Sequence, residues 1–249
     1  ALPISFIKVI FAKTSYPFEM NISDYLNNSP VIGAISETYV KPEKFLKYYF
    51  NSNESDAQTF LRHVMQSNTP YIFKDRPLIF EKIKEYLSNL LSVELHDILL
   101  IGSAKTGFSL STDNYGRPFT DKSDLDFTII NETLFQSLKA DYDNWKRKYT
   151  VEETISPTNL KQKGYWDENV KVLKRNLNRG FIDTYKLPNM ECCPTAKTIN
   201  NAMYNITLRL ENTFGITSSK ASVRVYQNSV AFVKQLRLNT NCLKERLDK

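Results

Sequence analysis

At 249 residues, 41% hydrophobic and 24% charged, the chain is long enough to bury a substantial core and too apolar to be read as disordered. No apolar run approaches the length of a membrane span, and the opening ALPISFIKVIFAK has neither the cationic region nor the small-residue cleavage site of a secretory leader, so a soluble, cytoplasmic protein with no membrane partner is expected. The formal charge of +6 is unevenly placed: Lys220 to Lys249 holds seven basic residues against Glu245 and Asp248, which makes +5 of it. Such a segment suits a polyanion, either a triphosphate or RNA, as well as it suits a solvated helix face.

Residues 1 to 75 mix short apolar runs with helical signals. Pro42 opens KPEKFLKYYF at a first-turn position, and Ser55 with Gln58 forms a capping-box pattern before a helix ending near Ser67. His63 in this region and His96 further on are too far apart for a His-rich metal site. Cys192, Cys193 and Cys242 form no C-x-x-C pair, so reduced thiols and structural histidines are expected and zinc is not. Pro77 then opens PLIFEKIKEYLSNLLSV, where Ile79, Ile83, Leu87 and Leu90 recur at helical spacing. This helix is expected to pack against the strand that follows.

That strand is Ile98 to Ile101, a wholly apolar run that breaks at Gly102. Gly102 lets the backbone come close to a phosphate, and Ser103 offers both a hydroxyl and an amide proton to an anion. Gly102-x4-Gly107 has the spacing of a P-loop, but Phe108 stands where the phosphate-binding lysine belongs, which excludes that reading. Ser111 to Lys122, with turn formers Asn114, Gly116 and Pro118, reads as a surface loop over the site. In Asp124-Leu125-Asp126-Phe127-Thr128-Ile129-Ile130 the strand alternation puts both aspartates on one face. Like charges so placed raise each other's pKa unless a cation sits between them, and oxygen-only ligation suits Mg²⁺.

Asn131 can cap a helix to about Tyr149, with Leu134, Leu138, Tyr142, Trp145 and Tyr149 as its core-facing stripe. Residues 150 to 168 read as a loop, Val170 to Leu173 as strand-like, and GFIDTYKLP as a strand bounded by Gly180 and Pro188. Ala196 to Asn212 and Ser222 to Leu247 read as helices separated by a turn at Gly215. The expected fold class is α+β, a small twisted mixed sheet in a core spanning 76–193, preceded by a mainly helical region 1–75 and followed by a helical region 194–249.

Gly102-Ser103 followed by Asp124-Leu125-Asp126 resembles the polymerase β-like nucleotidyltransferase superfamily, in its bacterial minimal form, over about 35 residues. The 21 positions from Ser103 to Asp124 exceed the family's common spacing. The resemblance implies a nucleotidyltransferase-like fold that uses ATP or another NTP and two Mg²⁺ ions, with Mn²⁺ able to substitute. Asp124 and Asp126 would be joined by a third acid on a later strand. Asp183 fits that description, while Asp167, Glu168 and Glu191 lie in loop-like sequence. One ion would lower the pKa of an acceptor hydroxyl and the other would hold the triphosphate as pyrophosphate leaves. Gly102 and Ser103 would position the outer phosphates and Lys105 would add a charge, while Lys220, Arg224 and Tyr226 would hold phosphates and stack a base. The acceptor would be RNA at a 3′ end such as that of tRNA, a protein side chain, or a second nucleotide as in the bacterial cyclic-oligonucleotide synthases. By the same resemblance such an enzyme would fit a bacterial toxin or anti-phage defence system. The competing reading is a silent nucleotidyltransferase fold acting as an antitoxin-like partner. It is distinguished by the lack of a third carboxylate within metal reach of Asp124 and Asp126.

Overall fold

The computed structural model describes residues 22–26, 31, 33 and 35–244. The opening segment ALPISFIKVIFAK, and Arg246 and Leu247 of the basic C-terminal segment, lie outside them. The described chain is a mixed α+β structure in which helices cover both faces of a four-stranded sheet. Among the described residues no helix is long and apolar enough to cross a membrane.

Pro42 stands in the first turn of α1 (Pro42–Phe50), where a missing N–H costs nothing. α2 (Glu54–Gln66) is capped by Asn53, whose side chain accepts from the Asp56 amide; the capping residue is therefore Asn53 and not Ser55. α3 (Pro77–Leu91) buries Phe80, Ile83 and Leu87, while Leu90 stays exposed. Its buried stripe thus begins one residue later than the sequence spacing suggests. β1 (Ile98–Ile101) leads through Gly102 into the single turn α4 (Ser103–Thr106), and β2 (Leu125–Ile130) runs antiparallel to β1. α5 (Glu132–Thr150) has Asn131 as its cap and buries Leu134, Leu138, Tyr142 and Trp145. Its Trp145 is a core residue, stacked on Tyr149 and edge-on to Trp166.

Two stretches fold otherwise than their sequences suggest. Residues 160 to 178, read as loop and then strand, form α6 (Leu160–Asn178), with Asn159 accepting from the Gln162 amide at its start. Only Trp166 and Leu173 are buried apolar residues on it, so its hydrophobic stripe is thin. Ser222 to Leu247, read as one helix, is a strand followed by a helix: β4 (Ala221–Tyr226), a turn, and α8 (Ser229–Asn241) capped by Asn228. The alternation Ser222, Val223, Arg224, Val225, Tyr226 buries the two valines on one face, and β-branched residues at period two favour a strand over a helix. Between these, β3 (Phe181–Asp183) and α7 (Pro194–Phe214) complete the fold.

The sheet order is β1-β2-β4-β3, with β4 parallel to β2 and β3 antiparallel to β4. One face carries Ile98, Leu100, Leu125, Phe127, Ile129, Ile182, Val223 and Val225 into a core shared with α3, α5, α6 and α7. The opposite face carries Leu99, Ile101, Phe181 and Tyr226 against α1, α2 and α8. On that second face the register sets Asp126 opposite Ser222, and Arg224 opposite both Thr128 and Asp183. A polar patch therefore interrupts an otherwise apolar surface at the middle of the sheet.

Gly180 turns α6 into β3 with φ +77°, and an added Cβ would lie 2.8 Å from the Cβ of Ala231 on α8. Gly180→Ala is expected to cost about 3 kcal/mol, combining a left-handed backbone penalty with overpacking. Gly164→Ala inside α6, where an added Cβ meets nothing within 4 Å, is expected to stabilise by about 1 kcal/mol. Urea unfolding of the two variants checks both signs.

Candidate functional site

The polar patch forms the floor of a cleft of about 520 Å³. The end of β1 and the turn into α4 supply one side through Gly102 and Ser103, together with Asp126 of β2. β3 with the turn after it and β4 supply the other through Asp183, Tyr185, Ser222 and Arg224. The C-terminal half of α8 adds Asn239 and Thr240. Tyr185 and Ser222 were not singled out in the sequence, although the period-two pattern of 222–226 would have placed Ser222 beside Arg224 on one face.

Gly102 has φ 66° and ψ −154°, a backbone region that is essentially closed to side chains. An added Cβ there would sit 3.1 Å from Oδ2 of Asp126 and make that side chain give way by a few tenths of an ångström. The turn and the carboxylate thus form one continuous wall, and it is the backbone conformation that calls for glycine. Asp126 is half-buried, and its Oδ1 accepts from the Ser222 hydroxyl at 3.1 Å. Burial is the main cause pushing its carboxyl above the usual aspartate range, and the charge of Asp124 adds to the rise against the Ser222 hydrogen bond. Asp124 precedes β2 and does not line the cleft; its Oδ2 lies 3.6 Å from Nζ of Lys220.

The loop after α4 is an ordered wall. Phe108 and Pro118 form a bridge, the Ser109 amide donates to the Arg117 carbonyl at 2.8 Å, and the Gly116 amide donates back to Ser109 at 2.9 Å. Tyr115 fixes this loop to α1 by donating to the Pro42 carbonyl at 2.6 Å and by packing edge-on against Phe108. Ser109, Leu110, Ser111 and Thr112 of this loop line the cleft.

Asp183 reaches the cleft, but both of its oxygens are engaged. Oδ1 accepts from Nε of Arg224 at 2.6 Å and Oδ2 accepts from Asn176 of α6 at 3.1 Å, with the Asp183 side chain only 4% exposed. Among the described residues, no three His, Cys, Asp or Glu side chains gather as a metal-ligand set. The donor set therefore does not fit a three-acid, two-ion arrangement. Asp124 and Asp126, whose charges act on each other, are the carboxylates that remain, and Mg²⁺ commonly takes one or two carboxylates and completes its shell with water and substrate phosphates.

The other residues singled out in the sequence divide clearly. Lys105 is buried and turned away from the cleft, its ammonium donating to the carbonyls of Ser67 and Asn68. Tyr226 is buried against Phe181 and Phe232, so its ring is core and presents no face to a base. Lys220 is exposed beside Asp124, and Arg224 lies in the cleft. Asp167 accepts from Tyr149 and Lys163 on α6, Glu168 is on the same helix, and Glu191 is exposed and paired with Lys197, which leaves none of the three at the site. Lys234, Arg237 and Lys244 of the basic segment do not line the cleft, and Arg237 pairs with Glu54 at 2.7 Å. No family model, curated protein or solved structure matches this chain.

Proposed function

We propose that the cleft binds a nucleoside triphosphate and that the chain transfers its nucleotidyl group to an acceptor hydroxyl, with pyrophosphate leaving. The observation that carries this reading is the shared wall: the Gly102-Ser103 turn, suited to phosphate, stands against the half-buried carboxylate of Asp126. Asp124 and Asp126 would hold one Mg²⁺, or Mn²⁺ in its place, which when bound supplies charge neutralisation on the phosphates. Ser103 and the backbone beside it would orient the outer phosphates, and Arg224 would add a fixed positive charge. The hydroxyls of Ser109, Ser111 and Thr112 would bound the ligand from the loop side. The net charge of +6 and the exposed Lys220 beside Asp124 favour a polyanion, the 3′ end of an RNA, as the acceptor.

The test incubates the protein with each α-labelled NTP, Mg²⁺ or Mn²⁺, and total RNA, lysate protein or nucleotide alone. Label on RNA together with released pyrophosphate is the expected result. One observation favours a second reading, a nucleotide-binding partner without turnover: Asp183 is committed to Arg224 and Asn176. NTP that binds but is not consumed in the presence of any of these acceptors would establish that reading and overturn transfer.

A further inference from the structure

We propose that Asp183 is a positioning residue for Arg224, and that Arg224, in place of a second metal ion, is the fixed positive charge that receives the phosphates of the cleft's ligand. This rests on the reading of the cleft as a site for a phosphate-bearing ligand. β4 is the strand hydrogen-bonded beside β2, so the side chains next to Asp126 across the sheet are those of Ser222 and Arg224; Asp183 is one strand further out. Arg224 thus stands between the two acids that a shared metal would have to bring together.

The guanidinium is held in three ways. Asp183 accepts from Nε at 2.6 Å, the Tyr226 side chain hydrogen-bonds with the guanidinium, and the ring of Phe181, two residues earlier on β3, lies 4.5 Å from the guanidinium carbon. Asp183 is itself fixed by Asn176, a buried side chain on α6. With Nε on Asp183, Tyr226 beside the group and the plane set by an aromatic face, the donors that remain have a defined direction, which is the condition for forked recognition of a phosphate. The Arg224 side chain keeps 29% of its surface open while Asp183 keeps 4%. The cation is therefore the accessible member of the pair and the carboxylate the hidden one. A metal ligand would show the opposite arrangement.

The charges in and beside the cleft agree with this assignment. Asp124, Asp126 and Asp183 face Lys220 and Arg224, so one divalent ion on the Asp124–Asp126 pair leaves the site positive by one charge and ready for a polyphosphate. A second ion beside Arg224 would meet like charge with no free carboxylate to offset it.

The test is equilibrium dialysis of the full chain against Mn²⁺ and inorganic tripolyphosphate, counting both per chain. The wild type is expected to take one Mn²⁺ and one tripolyphosphate. Arg224→Lys keeps the charge and loses the fork, and is expected to weaken tripolyphosphate about 10-fold. Asp183→Asn combined with Arg224→Met removes both partners, so no buried charge is left unpaired and the fold is kept. It is expected to weaken tripolyphosphate by about 100-fold while one Mn²⁺ still binds at saturating tripolyphosphate. Two Mn²⁺ in the wild type, loss of an ion in the double variant, unchanged tripolyphosphate affinity, or no tripolyphosphate binding at all would each overturn the proposal. Neither nucleotide nor turnover enters the measurement. A chain that transfers nothing can still satisfy it, and a chain that transfers nucleotide with two bound ions refutes it and leaves the transferase reading intact.

Discussion

Asp126→Asn is expected to lower nucleotidyl transfer by about three orders of magnitude while leaving the protein folded at least as stably as the wild type. The change is nearly isosteric and keeps an acceptor for the Ser222 hydroxyl, which now meets Oδ1 at 3.1 Å. What it removes is one of the two charges that would hold the divalent ion, and charge neutralisation on a transferring phosphoryl group supplies several kcal/mol, about 4 of which correspond to a thousandfold in rate. The stability side follows from burial. Because burial and the neighbouring Asp124 raise the Asp126 carboxyl, the ionised form is less favourable in the folded chain than in the unfolded one at neutral pH, and a neutral amide relieves that cost. Initial rates with labelled NTP and urea midpoints on the same samples separate the two effects. A variant that loses several kcal/mol of stability without metal marks Asp126 as a structural group. A variant that keeps its rate removes Asp126 from the chemistry.

The part of the site legible in the sequence is the part made by local pattern. β1 is a continuous apolar run broken by glycine, and β2 is an alternation in which Asp126 falls between Leu125 and Phe127, which are buried in the opposite core. Such signals need no tertiary information. α6 was not legible because its lysines and asparagines outnumber its two buried apolar residues, so its stripe is too thin to read. β4 was hidden inside a basic segment whose following helix is real, and only the turn at Gln227 and Asn228 separates them. Side-chain direction is the third limit. Arg224 and Asp183 meet across 41 positions, and Lys105 meets Ser67 and Asn68 across 38 and 37. Whether a basic residue near a glycine turn faces the ligand or the protein is decided by those distant partners.

Lys105→Met is expected to abolish a rise in stability that the wild type shows between about pH 8 and pH 10.5. Lys105 sits two residues after Ser103 on α4, is 4% exposed, and donates to the carbonyls of Ser67 and Asn68 just past the end of α2, the second at 2.7 Å. It therefore acts as a C-terminal cap supplied from another element, tying α2 to the turn that forms the cleft wall. Burial pushes its pKa down from 10.5 to about 8, even though two carbonyl acceptors favour the charged form. Below about pH 8 the amine is protonated in both states and the folded chain bears the full cost of a buried charge. Between about pH 8 and 10.5 the folded chain releases the proton while the unfolded chain keeps it, so the unfolded state binds more protons and stability rises with pH. With about 1.4 kcal/mol per unit of pKa difference, the wild type should gain about 3 kcal/mol relative to Lys105→Met from pH 7 to pH 10.5. Tyrosines and other groups that titrate in this range contribute to both proteins and cancel in the difference. Urea unfolding of the pair at half-unit pH steps gives the curve directly. A difference that stays flat across this window means that the two carbonyls hold the proton on, and that the cap is a fully charged one at every pH where the protein is folded.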